Sequence, residues 1–188
     1  MHIIGEVHDD APLVVVAVEE EAVAFPDGLP YLITGPGKVN AAIAVAYVLA
    51  RVRPSVVINV GTAGALHDHL EGLHDIASVS QHDLDLRALE KLTGRAMEHE
   101  IDLGRAGLRL VTGDLFVSDV VLRDRLAQRA DLVDMEGFAV AATAKRFGVP
   151  ARLIKYVSDT ADETAMRDWP SQTRVASAHL ASWLVAEL

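Results

Sequence analysis

The chain has 188 residues, 51% of them hydrophobic, with 17 Lys and Arg against 27 Asp and Glu and no cysteine. That length suits one domain with a substantial core, and a net charge of −10 argues against nucleic-acid binding through bulk positive charge. Without cysteine there is no disulfide framework, thiolate zinc site or thiol nucleophile, and the apolar runs fall well short of the roughly 20 residues that a membrane span needs.

The first ten residues, MHIIGEVHDD, carry acids where a secretory leader would carry basic residues and a long apolar stretch, so a soluble, cytoplasmic protein is expected. Leu13–Val18 (LVVVAV) is continuous and β-branched, the pattern of a buried parallel strand. Tyr31–Ile33 is a short apolar stretch that leads into the turn Thr34-Gly35-Pro36-Gly37-Lys38. Lys38–Arg51 is Ala-rich and predicts a helix ending before Arg53-Pro54, and Val56–Val60 (VVINV) predicts a second buried strand. Asp119–Arg129 is a charged amphipathic helix in pattern, and Glu136–Phe147 is an Ala-rich one closed by Gly148. Ala151–Val157 (ARLIKYV) is a third strand, and Thr173–Leu188 a terminal amphipathic helix. No repeat, low-complexity tract or linker divides residues 1–188, so one domain is expected. Strands alternating with helices imply right-handed crossovers and an α/β sandwich.

Chemistry concentrates at the turns. The glycines of Thr34–Lys38 let the backbone approach an anion at a helix N-terminus, although the segment lacks the P-loop and dinucleotide spacings; a tight turn explains it equally well. Gly61-Thr62-Ala63-Gly64 follows the Val56–Val60 strand, where small residues and a hydroxyl suit a sugar, a phosphate or an ordered water. Glu19-Glu20-Glu21, Asp134-Met135-Glu136-Gly137 and Ser158-Asp159-Thr160 each place acids beyond an apolar run. Each is explicable alone as helix capping or a solvated helix start. In a parallel sheet, however, the three ends would bring Glu21, Glu136 and Asp159 to one edge, a set suited to acid/base work and sugar hydroxyls. His67-Asp68-His69 with His74 and Asp75 could hold a metal, but the intervening Glu71-Gly72-Leu73 reads as a surface loop. No serine stands in a G-x-S-x-G elbow.

In series, VVVAVEEEAVAF, TGPGKVNAA, PSVVINVGTAGAL, VTGDLFVSD, VDMEGFAVA and KYVSDTAD resemble the purine nucleoside phosphorylase/uridine phosphorylase superfamily. They look most like its 5′-methylthioadenosine/S-adenosylhomocysteine nucleosidase branch. The resemblance implies a three-layer α/β fold with a central mixed, mostly parallel sheet curled toward a barrel, and cleavage of an N-glycosidic bond. It implies that Glu21 activates the attacking water, that Glu136 and Met135 hold the ribose hydroxyls, and that Asp159, oriented by Ser158, donates a proton toward purine N7. Phe116 would stack on the purine and the Val117 backbone would read the base edge. Gly61 belongs to the same set, and Thr62 and Lys155 would lie near the water or phosphate position. No metal and no cofactor are implied; the partners implied are a purine nucleoside and a second copy in a homodimer, without nucleic acid or membrane.

Departures from the family pattern are visible. Only twelve residues separate Glu21 from Thr34, where relatives carry further strands, and Lys155 stands where arginine is usual. Three readings therefore stay open: a nucleosidase using water, a phosphorylase using phosphate near Thr62, Gly35–Gly37 and Lys155, and a trimmed nucleoside-binding protein without turnover.

Overall fold

The β-branched runs lie in one nine-stranded sheet. A computed structural model describes residues 1–188. In chain order the strands are β1 (His2–Ile4), β2 (Pro12–Val16), β3 (Tyr31–Ile33), β4 (Val56–Ala65), β5 (Leu73–Gln81), β6 (Glu100–Asp102), β7 (Leu108–Thr112), β8 (Leu132–Asp134) and β9 (Ala151–Asp159). The helices are α1 (Lys38–Leu49), α2 (Leu86–Thr93), α3 (Val120–Ala127), α4 (Gly137–Arg146) and α5 (Ala165–Glu187), with a 3-10 turn over Glu19–Ala22 after β2.

Period-two alternation explains the layering. Leu13 and Val15 of β2, with Leu32 of β3 and Val57 of β4, pack against α1 and α4. Val14 and Val16 point the other way, onto Leu180 and Leu184 of α5, together with Ile58, Val60 and Ile154. With both faces covered, these strands carry no polar alternation, which is why they read as continuous apolar runs. Each fully buried Val, Leu or Ile contributes roughly 1.5–3 kcal/mol.

The sheet is mixed and curls into a closed ring. β4 pairs with β9, β9 with β5, β5 with β7, β7 with β8, and β8 returns to β4. Strands β2, β3 and β1 extend from β4 as an open wing. Five of the nine pairings are parallel; β1–β3, β4–β8, β5–β6 and β5–β9 are antiparallel.

Three expectations need correcting. Gly61–Gly64 is not a loop beyond the second strand: β4 runs on to Ala65, with a register irregularity at Ala63/Gly64 where the strand passes from wing to ring. Small residues permit that bend. The terminal helix starts at Ala165, eight residues before Thr173, and contains Pro170. Leu73 and His74 belong to a strand, β5, whose half-buried pattern hides it from a search for apolar runs. No helix is long and apolar enough to cross a membrane.

Candidate active site

The C-terminal half of β4 is the floor on which three acids meet. Glu21 arrives from the 3-10 turn after β2 and is 3% exposed. Its Oε1 accepts hydrogen bonds from Thr62 N at 2.7 Å and Thr62 Oγ1 at 2.9 Å, and its Oε2 accepts from Ala17 N at 3.1 Å. Gly61 makes room for this carboxylate, since a Cβ there would stand 2.9 Å from Glu21 Oε1. Every partner of the Glu21 carboxylate is a donor, so its oxygens act as acceptors, as a general base requires.

Asp159 ends β9, opposite Gly64. Ser158 Oγ donates to its Oδ2 at 2.8 Å and Ala161 N to its Oδ1 at 2.9 Å. Burial pushes the Asp159 carboxyl above its ordinary value, overriding those two donors. A raised pKa favours the protonated carboxyl, the direction that proton donation requires.

Glu136 reaches the same place by a different route from the one anticipated. β8 is antiparallel to β4, so Glu136 follows a strand running against β2, β4 and β9, and a parallel edge shared with Glu21 and Asp159 does not explain its position. Its Oε1 accepts from Gly37 N at 2.7 Å, at the start of α1. Burial first, and the neighbouring Asp134 carboxylate second, push its pKa up to about 8. Next to Gly37, Lys38 N donates to Asp114 Oδ1 at 2.8 Å. The amides at the glycine-rich turn are therefore taken by the protein's own acidic side chains, Glu136 and Asp114.

Behind this wall lies a buried ion pair. Lys155 Nζ is 2.8 Å from Asp134 Oδ2 and donates to Asn59 Oδ1 at 2.8 Å. Asp134 also accepts from Thr112 Oγ1 at 2.6 Å and Gly137 N at 2.8 Å. Lys155 is 1% exposed. Burial works to lower its pKa, but the Asp134 and Glu136 carboxylates outweigh that and hold it above the usual lysine value.

Glu21, Glu136, Asp159, Met135, Phe116, Val117, Ser158 and Thr62 all line one cavity of about 450 Å³. Gly61 and Lys155 do not reach its wall; Gly61 lies under Glu21, and Lys155 is spent on Asp134 and Asn59. Sequence reasoning missed Leu115, Met166 and Trp169, which form an apolar side of the cavity. His67 and His69 stack at 5.8 Å, and no group of three or more His, Asp or Glu is placed to hold a metal ion.

The Glu136 environment has a measurable consequence. Its folded pKa lies above the unfolded value of 4.5, so the folded state retains a proton that the unfolded chain loses as pH rises past 4.5. Stability is therefore lost between about pH 4.5 and 8, on the order of 1.4 kcal/mol for each pH unit between those values. Glu136→Gln, which cannot ionise, is expected to melt close to the wild type at pH 5 and above it at pH 9. Equal melting temperatures at both pH values would refute the raised pKa.

The Phosphorylase superfamily profile matches residues 27–89 and 79–187. The chain belongs to the Phosphorylase superfamily. Among curated relatives, the superfamily chain is 29% identical to a 5′-methylthioadenosine/S-adenosylhomocysteine nucleosidase of Staphylococcus aureus, over 82% of this chain and 80% of that one. Among solved structures, the corresponding nucleosidase of Neisseria meningitidis in complex with methylthio-immucillin-A superposes with a TM-score of 0.78 at 25% identity, covering 93% of this chain and 96% of that one. A futalosine hydrolase mutant of Helicobacter pylori superposes at 0.80 with 22% identity, covering 97% and 100%. The superfamily fold thus accounts for nearly the whole chain.

Proposed function

We propose that the protein is a purine nucleosidase, hydrolysing the N-glycosidic bond of an adenine nucleoside of the 5′-methylthioadenosine or S-adenosylhomocysteine type. The observation that carries this reading is the composition of the cavity. Its 18 lining residues include four acidic side chains, Glu21, Asp134, Glu136 and Asp159, and no Lys, Arg or His. Phosphate recognition calls for cationic forks or free helix-terminal amides. Here the amides at Gly37 and Lys38 are occupied by Glu136 and Asp114, and the Lys155 charge is paired with Asp134. Water is the nucleophile that such a site accommodates.

The chemistry follows from the two differently set acids. The C1′–N9 bond breaks with positive charge growing on the ribose and negative charge on the base. Asp159 gives its proton to N7, so adenine leaves neutral. Water attacks C1′ and Glu21 takes the proton it releases; solvent exchange then returns Glu21 and Asp159 to their starting states. Glu136 and Met135 receive the ribose, with the Gly37 amide fixing the Glu136 carboxyl group. Electrostatic stabilisation of the sugar cation is the largest contribution such a site offers, and the carboxylate form of Glu136 supplies it once its proton is lost. Phe116, Leu115, Met166 and Trp169 give the base and the 5′-substituent an apolar wall.

The homodimer belongs to the same proposal. Val39 and Ile43 of α1 are 67% and 63% exposed, and Tyr47 continues their stripe at a spacing of four residues.

The test is base release from 5′-methylthioadenosine, S-adenosylhomocysteine, futalosine and inosine, with and without phosphate. Adenine release from the first two without phosphate is expected, from protein that sediments as a dimer. Strict phosphate dependence would replace the reading with a phosphorylase, and binding without release with a nucleoside-binding protein. Release confined to futalosine would move the substrate class.

A further inference from the structure

Trp169 forms more than a wall. Its indole Nε1 donates to Thr62 Oγ1 at 3.1 Å, and the same hydroxyl donates to Glu21 Oε1 at 2.9 Å. An indole nitrogen is a donor only, and a hydroxyl has a single proton. The direction is thereby forced: indole to hydroxyl to carboxylate. Without the indole the Thr62 hydroxyl could rotate its proton toward any acceptor in the cavity. With it, that proton is committed to Glu21.

The placement of α5 gives this bond a second consequence. The helix is fixed against the Glu21 segment by Ser177, whose Oγ accepts from Ala24 N at 2.9 Å and which is wholly buried. Trp169 lies eight residues earlier, at the end of the first turns. Pro170 follows it and has no N–H, so the helical bond to the Met166 carbonyl is missing between these turns and the rest of α5. The Trp169–Thr62 bond joins those turns directly to β4.

We propose that Trp169 is a positioning residue for hydrolysis: through Thr62 it orients the Glu21 carboxylate, and it ties the seating of the first turns of α5 to the readiness of that base. The proposal rests on the reading of Glu21 as the base, and it specifies what holds Glu21 in register.

The discriminating variant is Trp169→Phe, which keeps an aromatic ring on the cavity wall and deletes the N–H. The readouts are steady-state adenine release from 5′-methylthioadenosine and a thermal melt confirming the fold. A net hydrogen bond of about 1 kcal/mol predicts a fall in kcat of roughly five- to tenfold, with KM within about threefold. In a Thr62→Val background the same substitution should then lower kcat no further, because the relay is already broken. A Trp169→Phe kcat within twofold of wild type, or the same fall in the Thr62→Val background, would overturn the proposal. Glu21→Gln in the same assay keeps the two ideas apart: full activity there removes the base itself, whereas loss of activity there with an unaffected Trp169→Phe removes only the role of Trp169.

Discussion

Asp159→Asn is expected to reduce adenine release by about 10²–10⁴-fold, the range that a positioned general acid contributes, while nucleoside affinity stays within a few-fold of wild type. The substitution is nearly isosteric, and its hydrogen bonds can be rebuilt. Asn Oδ1 still accepts from Ala161 N, and the amide group faces Ser158 Oγ, which turns to accept instead of donating. What disappears is the proton. Because burial holds the Asp159 carboxyl above its ordinary value, the wild-type rate should fall on the alkaline side as that proton is lost. The variant should lack that limb. Steady-state kinetics across pH, with a binding isotherm for a non-hydrolysed nucleoside analogue, separate the two effects. Full activity of Asp159→Asn on 5′-methylthioadenosine would exclude a proton-donor role.

How much of this was legible in the sequence depended on the range of the interaction. The apolar runs of β2, β4 and β9 stand out because both faces of those strands are covered, and the signal is local. The Gly61–Gly64 stretch looked like a loop because glycine and small residues are the usual mark of one. Here they are small because Glu21 lies against Gly61, and because Asp159 Oδ1 and Ala161 Cβ would each lie 3.0 Å from a Cβ at Gly64. Position 61 responds to a residue forty positions away, and no local pattern records that. Trp169 was hidden by Pro170, which argues for a helix starting later. β5 was hidden by its own half-buried surface. The ordered series of short motifs succeeded where single motifs did not, since Glu21, Glu136 and Asp159 are each unremarkable alone and converge only through pairings with β4. Asp134 shows the limit most clearly. A helix-capping role was readable, and its Oδ2 does accept from Gly137 N. Its pairing with a buried lysine twenty-one residues later was not readable, because nothing local distinguishes Lys155 from a lysine that reaches solvent.

That pair carries the largest expected effect on stability. Lys155→Met should lower stability by about 3–5 kcal/mol, because it leaves the Asp134 carboxylate buried without a counter-charge. At about 2–4 °C per kcal/mol for a chain of this size, the melting temperature should drop by roughly 6–20 °C. The cause is the orphaned charge and not the lost volume, since methionine fills much of the lysine stem. Adding Asp134→Asn to Lys155→Met should therefore restore more than half of the loss: the amide still accepts from Thr112 Oγ1 or Gly137 N but needs no cation. The pH dependence follows from the lysine pKa, which is held above its ordinary value of 10.5. The stabilisation is fully present below pH 10.5 and is lost as pH rises through the folded value. The gap between wild type and Lys155→Met should accordingly stay constant up to about pH 8 and widen above it, where the wild-type Glu136 ionises and that of the variant still holds its proton. The lysine charge also restrains the Glu136 pKa from rising further. In the single variant the carboxylate form of Glu136 should become harder to reach, so activity should fall more than a loss of stability alone explains. A Lys155→Met protein melting within 2 °C of wild type would mean that the pair is not held as a buried charge, and the restraint on Glu136 would go with it.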